Sequence, residues 1–555
     1  MHLKNTIRPI YFILFWVLLN LIQAAFSELT SDEGYYWFYS QHLEWGYYDH
    51  PPFLALIVKI GYYFFHNEIG VRVLNVLLTS GGLWIILNLM PKNLLQKKHT
   101  YILLLSLPLL HYLSFIIFPD GPLLFFSAVY LWSYKKFIER NNVSSALIMA
   151  MAVALMLYSK YHGILLVLFT LLSNLKLLRN KYFYFLMLLA LVLFAPHIWW
   201  QYQHDFITFD YHLQKRTEEV TGKHIFEYIS QQVLAIGPGF IFVPFVYKTK
   251  NQFEKTLVYV ILGTLFFFLF TSVKGFVHFH WTSIIIFPII LLAAKYYDDH
   301  KKRKLFYWLM LPFLFIILLF RLQMMLPLLP VNHVNVDYYH GRKLWAKDIV
   351  SIAHNDPVLF GNQFRESSLY SFYSGQMGVA LFSGENRRSQ YELWNYEDSL
   401  QDKNVLYISK YPFAGSTTLL TGMGKTVYYY QLSCFHSFYA IPIHTDFPAT
   451  IKKITETDIH LSIINPRKKT LYFKCRDSPN NVVLFYTIKK DNAVIVQQEI
   501  KRFSSADSIP THGKVELQVK ILTNNLPEGK YSISFGFKSF IIEDSYNAIY
   551  GFTVQ

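Results

Sequence analysis

Residues 31–52 read SDEGYYWFYSQHLEWGYYDHPP and follow directly on an apolar run, LFWVLLNLIQAAF, at 14–26. A helix needs about 20 apolar residues to cross a bilayer core, and the run with its upstream neighbours supplies them. Tyr and Trp in the following loop suit a membrane–water interface. Its acidic groups, Asp32-Glu33 and Asp49-His50, do not belong to an ordinary interface belt. They raise the alternative of a site that handles something polar carried by something greasy.

Working outward, the chain is 53% hydrophobic and only 16% charged, a combination that membrane residence explains. Apolar segments at roughly 7–26, 71–90, 100–118, 120–134, 143–159, 161–176, 182–200, 232–248, 255–273, 279–295 and 305–327 give about eleven spans, the fourth of them short. The basic head and apolar body at the start also fit a signal peptide. Their length and the many later runs favour a retained first span. PPFLALIVKIGYYFF (51–65) is short for a span and reads as an interfacial helix opened by Pro51 and Pro52.

The net charge of +15 does not point to nucleic acid, because Lys and Arg sit in short blocks between apolar runs rather than on a polar domain. Every second loop is basic: PKNLLQKKH, KKFIERNN, KLLRNK, KTKNQFEK and KYYDDHKKRK. With the N-terminal head, these hold about nineteen Lys and Arg, against roughly six in the alternate loops. The basic loops are therefore expected to be cytoplasmic, with the C-terminal third outside the inner (plasma) membrane. Asp32, Glu33, Asp49, His50, Asp120, Lys160, His162, His204, Lys274, His278 and His280 then all fall at outer ends or in outer loops.

Each of these residues has two readings. Asp32 or Glu33 is a general base for an attacking hydroxyl, or an acid in the first turn of a short helix following Thr30-Ser31. Asp49 before His50-Pro51-Pro52 starts a helix or serves as a second acid, and His50 is a proton carrier or phosphate partner. Asp120, in FPDGPLLFF, caps a span or holds a sugar hydroxyl. Lys160, in LYSKYHGILL with Tyr161 and His162, snorkels or meets an anion at the membrane surface. Arg72 pairs locally with Glu68 or forks onto phosphate oxygens. Lys274 and the closely spaced His278 and His280 join two late spans; a divalent metal on the histidines would need a third ligand from elsewhere. No Walker loop or dinucleotide glycine pattern occurs, which argues against an ATP-driven pump. Hardly any carboxylate lies mid-span, where an ion pathway would need one.

From about residue 328 the composition changes. Residues 328–440 read as a small α/β domain with strands in PVLFGN and NVLYISK. Residues 441–555 alternate as strands (IHLSIIN, KTLYFKC, VVLFYTIKK, VIVQQEI, KVELQVKI, YSISFGF, YGFTV), the pattern of a β-sandwich. Cys434 and Cys475 are too few for a disulfide framework; one bridge and two free thiols are both open.

The ordered motifs DE-x-YYW, GYYDHPP, VRVLN, PDGPLLFF, LYSKYHGILL, APHIWWQYQHDFITF and HFHWTS resemble the GT-C glycosyltransferases. Within that class the order looks like the bacterial relatives of the protein O-mannosyltransferases and the lipid A aminoarabinose transferases. The resemblance spans residues 1 to about 330 and continues weakly through FYSGQMGV and RRSQYELW; the last hundred or so residues match nothing in the family. It implies an α-helical polytopic GT-C fold over 1–327 and an integral-membrane inverting glycosyltransferase. The donor would be a polyprenyl-phosphate sugar and the acceptor a glycan, glycolipid or protein on the outer, periplasmic face. It implies Asp32, with Glu33 beside it, as base, Asp49 as the second acid of the first loop, and Arg72 on the donor phosphate. The residues themselves support such chemistry, with Arg72, Lys160 and Lys274 as candidate cations for the leaving phosphate. The alternative is a transporter or flippase of lipid-linked sugars, which would spread polar residues through the membrane rather than gather them at one face.

Overall fold

The computed structural model describes residues 9–213, 222–298, 302–328, 339–381, 388–394, 396–438, 441–451, 456–473, 482–491, 493–504, 506–523, 526–538 and 545–555. Two compact units divide the chain, Met1–His340 and Gly341–Gln555.

The first unit is helical. α1 (Pro9–Phe26) leads to the short α2 (Ser31–Gln41), then α3 (Phe53–Phe64) and α4 (Glu68–Leu89). α5 (Lys92–Leu95), α6 (Lys98–Leu105) and α7 (Pro108–Phe115) precede α8 (Asp120–Arg140), α9 (Val143–Ser159) and α10 (Gly163–Ser173). α11 (Lys181–Gln203), α12 (Ile207–Leu213), α13 (Gly222–Ile236), α14 (Pro238–Ile241) and α15 (Val243–Val246) come next. α16 (Gln252–Thr271), α17 (Ile286–Tyr296) with a preceding 3-10 turn at Phe279–Ile285, and α18 (Arg303–Met325) complete it. Asparagine side chains start four of these helices: Asn67, Asn142, Asn180 and Asn251 each accept a hydrogen bond from a first-turn N–H.

Each of the eleven apolar segments carries helix. Six helices are long and apolar enough to cross a membrane, or eight if two sharply bent pairs each count as one span. Among the shorter apolar helices are α9, α10 and α3. α3 packs Leu54, Ala55, Ile57 and Val58 inward and leaves Tyr63 and Phe64 exposed.

The fourth segment differs from expectation: α8 continues six residues beyond 134, to Arg140, and ends where Asn141 takes the left-handed conformation (φ 47°). Its start is set by a break. α7 and α8 meet at 112°, because Pro119 supplies no N–H and disfavours helical backbone at Phe118. Asn75 of α4 ties this corner, its Nδ2 donating to the carbonyls of Leu113 and Ile116 at 3.0 Å each.

In the second unit, strands β1 (Val358–Gly361), β2 (Gly378–Leu381) and β3 (Val405–Ser409) are parallel. β4 (Thr417–Leu420) and β5 (Thr426–Leu432) extend the sheet antiparallel, in the order β2-β1-β3-β5-β4. The rest is strand-rich. A sheet holding Val483–Lys490, Gly529–Lys538 and Ser545–Val554 and another holding Glu456–Ile464 and Lys514–Leu522 share one core, which includes Leu461, Ile463, Tyr486, Ile533 and Phe535. Of KTLYFKC, the described strand covers Leu471–Tyr472. Cys434 is disulfide-bonded; Cys475 lies outside the described residues.

Gly121→Ala tests the corner at α8. An added Cβ would lie 1.7 Å from Asn75 Oδ1, so the clamp must shift, at a cost of about 1–3 kcal/mol. Thermal unfolding in detergent is expected to show a lowered midpoint for Gly121→Ala and none for Gly222→Ala, whose Cβ would meet nothing within 4 Å.

Candidate active site

Thr30 and Glu33 form a reciprocal capping box that starts α2. This places the two acids of the first loop in opposite environments. Glu33, the third residue of the helix, is fully buried. Its Oε1 accepts from Arg72 Nε (2.7 Å) and Ile117 N (3.0 Å), and its Oε2 from Arg72 Nη2 (2.6 Å) and Thr30 N (2.9 Å). Arg72, also fully buried, sends its remaining donors to the carbonyls of Ala24, Ser27 and Glu28. Asp32, one residue before Glu33, is only half-buried.

Two assignments made from sequence are therefore corrected. Arg72 does not fork onto a donor phosphate, because its guanidinium is committed to Glu33 and three carbonyls. Its ion pair reaches Glu33, 39 residues away in sequence. Glu33 is not a candidate base, because a fully buried carboxylate held by a bidentate arginine and two backbone N–H groups has no open face for an acceptor hydroxyl. The T-S-D-E order at 30–33 is the sequence signal that distinguishes the two acids.

Asp49 is buried and accepts a short hydrogen bond from the Tyr39 hydroxyl. Tyr39 in turn stacks on Tyr47 with ring centroids 4.3 Å apart. Burial, and then the charge of Asp49, push the Tyr39 phenol well up, so it stays a proton donor to that carboxylate. His50, half-buried, lies 3.4 Å from the Tyr36 hydroxyl.

A second group gathers at the starts of α8, α10 and the 3-10 turn. Lys160 Nζ binds both Asp120 oxygens, at 2.9 and 2.8 Å, and Ser283 Oγ donates to Asp120 Oδ1 at 2.6 Å. His280 Nε2 lies 3.9 Å from Asp120 Oδ2. Lys160, His278, His162 and His50 all act electrostatically on His280. The aromatic walls are Phe118 against His280 (5.2 Å), Trp281 against His162 (5.2 Å) and Tyr36 against Phe118 (6.1 Å). Asp32 joins this end through Tyr339, whose neighbours are Tyr112, Glu33 and Asp32; Tyr112 packs on Phe118 and Phe279. Tyr36 is four residues past Asp32 and so shares its face of α2.

Tyr161, next to Lys160, contacts His197 Nε2 at 2.7 Å and accepts from Gln201 at 3.2 Å. The structure thus brings Asp120, Lys160, His162, His278, His280 and His50 together, with Tyr161 alongside. Lys274 is exposed and makes no contact with this group among the described residues. His204 is half-buried, stacked on Trp200 at 4.0 Å. Sequence reasoning did not single out Tyr36, Tyr39, Tyr112, Ser283 or Tyr339; the first two and Ser283 lie inside motifs already quoted. Among the described residues, three potential metal ligands converge only at Asp402, Cys434 and His436. There the disulfide removes the thiolate a metal would bind.

The family model described as dolichyl-phosphate-mannose-protein mannosyltransferase matches residues 49–200. The lipid A galacturonosyltransferase RgtD of Rhizobium johnstonii is 27% identical over 195 residues, which is 32% of this chain and 40% of that protein. The match thus spans well under half the length of that relative. The crystal structure of ArnT from Cupriavidus metallidurans in the apo state covers 76% of this chain and 97% of its own, with TM-score 0.56 and 13% identity. The structure of ArnT bound to undecaprenyl phosphate matches with the same coverage and TM-score, at 14% identity. The chain shares the fold of ArnT, the GT-C fold that the ordered motifs implied.

Removing one partner of the buried pair leaves a charge uncompensated, a loss of about 3–5 kcal/mol. Glu33→Ala and Arg72→Ala are expected to lower the unfolding midpoint in detergent sharply, whereas Asp32→Asn is expected to leave it within the range of a surface substitution, about 0.5 kcal/mol.

Proposed function

We propose that this membrane chain of GT-C fold is an inverting glycosyltransferase that moves a sugar from a polyprenyl-phosphate donor to an acceptor hydroxyl or phosphate at the outer face of the membrane. The observation that carries the reading is the convergence of Asp120, Lys160, His162, His278, His280 and His50, from separate parts of the chain, on one end of the helical unit. The alternation of basic loops argues that this end is the outer one.

The donor has a lipid tail, a phosphate and a sugar. As the bond from the anomeric carbon to the phosphate oxygen breaks, negative charge grows on the departing polyprenyl phosphate. In this reading Lys160, held by Asp120, and the four neighbouring imidazoles of His50, His162, His278 and His280 meet that charge. One such aimed donor contributes about 3 kcal/mol of transition-state stabilisation. The acceptor oxygen attacks the anomeric carbon from the opposite side, and its proton passes to Asp32. Attack opposite the leaving group inverts the anomeric centre, as in the inverting sugar hydrolases where water attacks. Asp32 is preferred over Glu33 because it is half-exposed and stands outside the arginine clamp. Asp49 orients Tyr39 and the first loop. Tyr36, Trp281 and Phe118 offer ring faces to sugar and isoprene. The name of RgtD favours a lipid A type of glycolipid as acceptor, and the undecaprenyl phosphate bound to ArnT favours that class of carrier.

The test incubates purified protein with a panel of polyprenyl-phosphate sugars and a glycolipid acceptor, scoring release of polyprenyl phosphate with and without chelator. Asp32→Asn is expected to lower kcat by about 100-fold or more with unchanged unfolding, and Lys160→Ala to lower turnover by about 100-fold. Near-normal turnover of Asp32→Asn would remove Asp32 as base. Release from no donor in the panel would remove the transferase reading.

A further inference from the structure

A cavity of about 710 Å³ opens at the far end of the helical unit from the candidate active site. α8 measures the separation: Asp120 begins it, Glu139 lies one residue from its end, and the helix rises about 1.5 Å per residue, so the two ends are about 30 Å apart. The cavity is lined by Lys135, Lys176 and Lys295, by amide side chains, among them Asn174 and Gln252, and by the apolar Phe253, Leu257 and Leu291.

Its charges are unequally satisfied. Lys295 is held by Glu254 at 2.6 Å. Neither Lys135, half-buried with its ammonium 6.0 Å from the Phe253 ring, nor the exposed Lys176 forms an ion pair among the described residues. Glu139 is the one acid in the lining. A second observation fixes the depth. Lysines at this same end lie over aromatic rings: Lys136 over Trp132 (3.8 Å), Lys302 over Tyr296 (3.7 Å), Lys181 over Tyr182 (5.3 Å) and Lys255 over Tyr259 (5.4 Å). Paired cations and aromatic rings at helix ends mark the headgroup layer, so the cavity lies at the depth of lipid phosphates.

We propose that this cavity binds the phosphate headgroup of an anionic membrane lipid, with Lys135 and Lys176 on the phosphate and the apolar residues along the first carbons of an acyl chain. Basic hollows between spans on the cytoplasmic side suit such headgroups. The site is separate from the sugar-transfer end and does not depend on that reading.

The purified full-length protein is titrated in detergent with dioleoylphosphatidylglycerol, dioleoylphosphatidylcholine and inorganic phosphate, with bound ligand read by native mass spectrometry. Phosphatidylglycerol is expected to bind about tenfold tighter than phosphatidylcholine. Lys135→Ala with Lys176→Ala is expected to abolish that preference, and Lys248→Ala with Lys250→Ala, in a neighbouring basic loop, to preserve it. Lys176→Glu alone, at an exposed position, is expected to weaken it and covers the case in which the double variant does not fold. Equal binding of the two lipids, an unchanged preference in the Lys135 and Lys176 variants, an equal loss in the control pair, or inorganic phosphate binding as tightly as phosphatidylglycerol would each overturn the proposal.

Discussion

The ion pair between Arg72 and Glu33 governs the geometry of the helical unit. Its atoms tie together the end of α1 through the carbonyls of Ala24 and Ser27, the start of α2 through Glu33, the helix α4 that carries Arg72, and the corner before α8 through Ile117 N. Two opposite charges taken wholly out of solvent stabilise only if their remaining hydrogen-bonding capacity is met. Here it is met by three carbonyls and two backbone N–H groups. The pair is therefore less a source of net stability than a fixed joint, one that permits few other arrangements of those four segments.

The joint has a chemical consequence. Asp32 and Glu33 are adjacent on a helix, so their side chains point about 100° apart. With Glu33 drawn inward by Arg72, Asp32 is turned toward the face it shares with Tyr36, where Phe118 and Tyr339 also lie. The corner whose Ile117 N donates to Glu33 leads through Pro119 into Asp120, so one anchoring site sets both the direction of Asp32 and the start of the helix whose Asp120 binds Lys160. In the proposed reaction, the carboxylate that takes a proton and the pair that meets the leaving phosphate are both anchored through this one buried contact.

Much of the fold was legible because its signals are local. Apolar runs place the helices; the alternation in VVLFYTIKK and KVELQVKI places strands. Asp120 in FPDGPLLFF offered a span start, but not that α8 would run to Arg140, because Lys135 and Lys136 dilute its hydropathy. Lysine stems are long enough to stay helical within the apolar layer and lay the ammonium on a ring, as Lys136 does on Trp132. For the candidate site, the sequence marked polar residues at span ends but not which of them pair. Asp120, Lys160 and the histidines are polar residues at span ends, which sequence alone reveals. That Lys160 is matched to Asp120 across 40 residues, and Arg72 to Glu33 across 39, is tertiary information.

That pairing also resolves how a site for an anion tolerates an acid. Asp120 accepts from Lys160 and Ser283 and has His280 close by. A buried cation needs a partner to offset its lost hydration. Asp120 supplies one through both of its oxygens, and so fixes the direction of the Lys160 ammonium. In the proposed reaction that ammonium is already oriented when charge builds on the departing phosphate, with His280 close by. The price is a weaker net attraction for phosphate in the ground state. For a catalyst that is an advantage, since stabilisation reserved for the transition state raises turnover, whereas tight holding of donor and product does not.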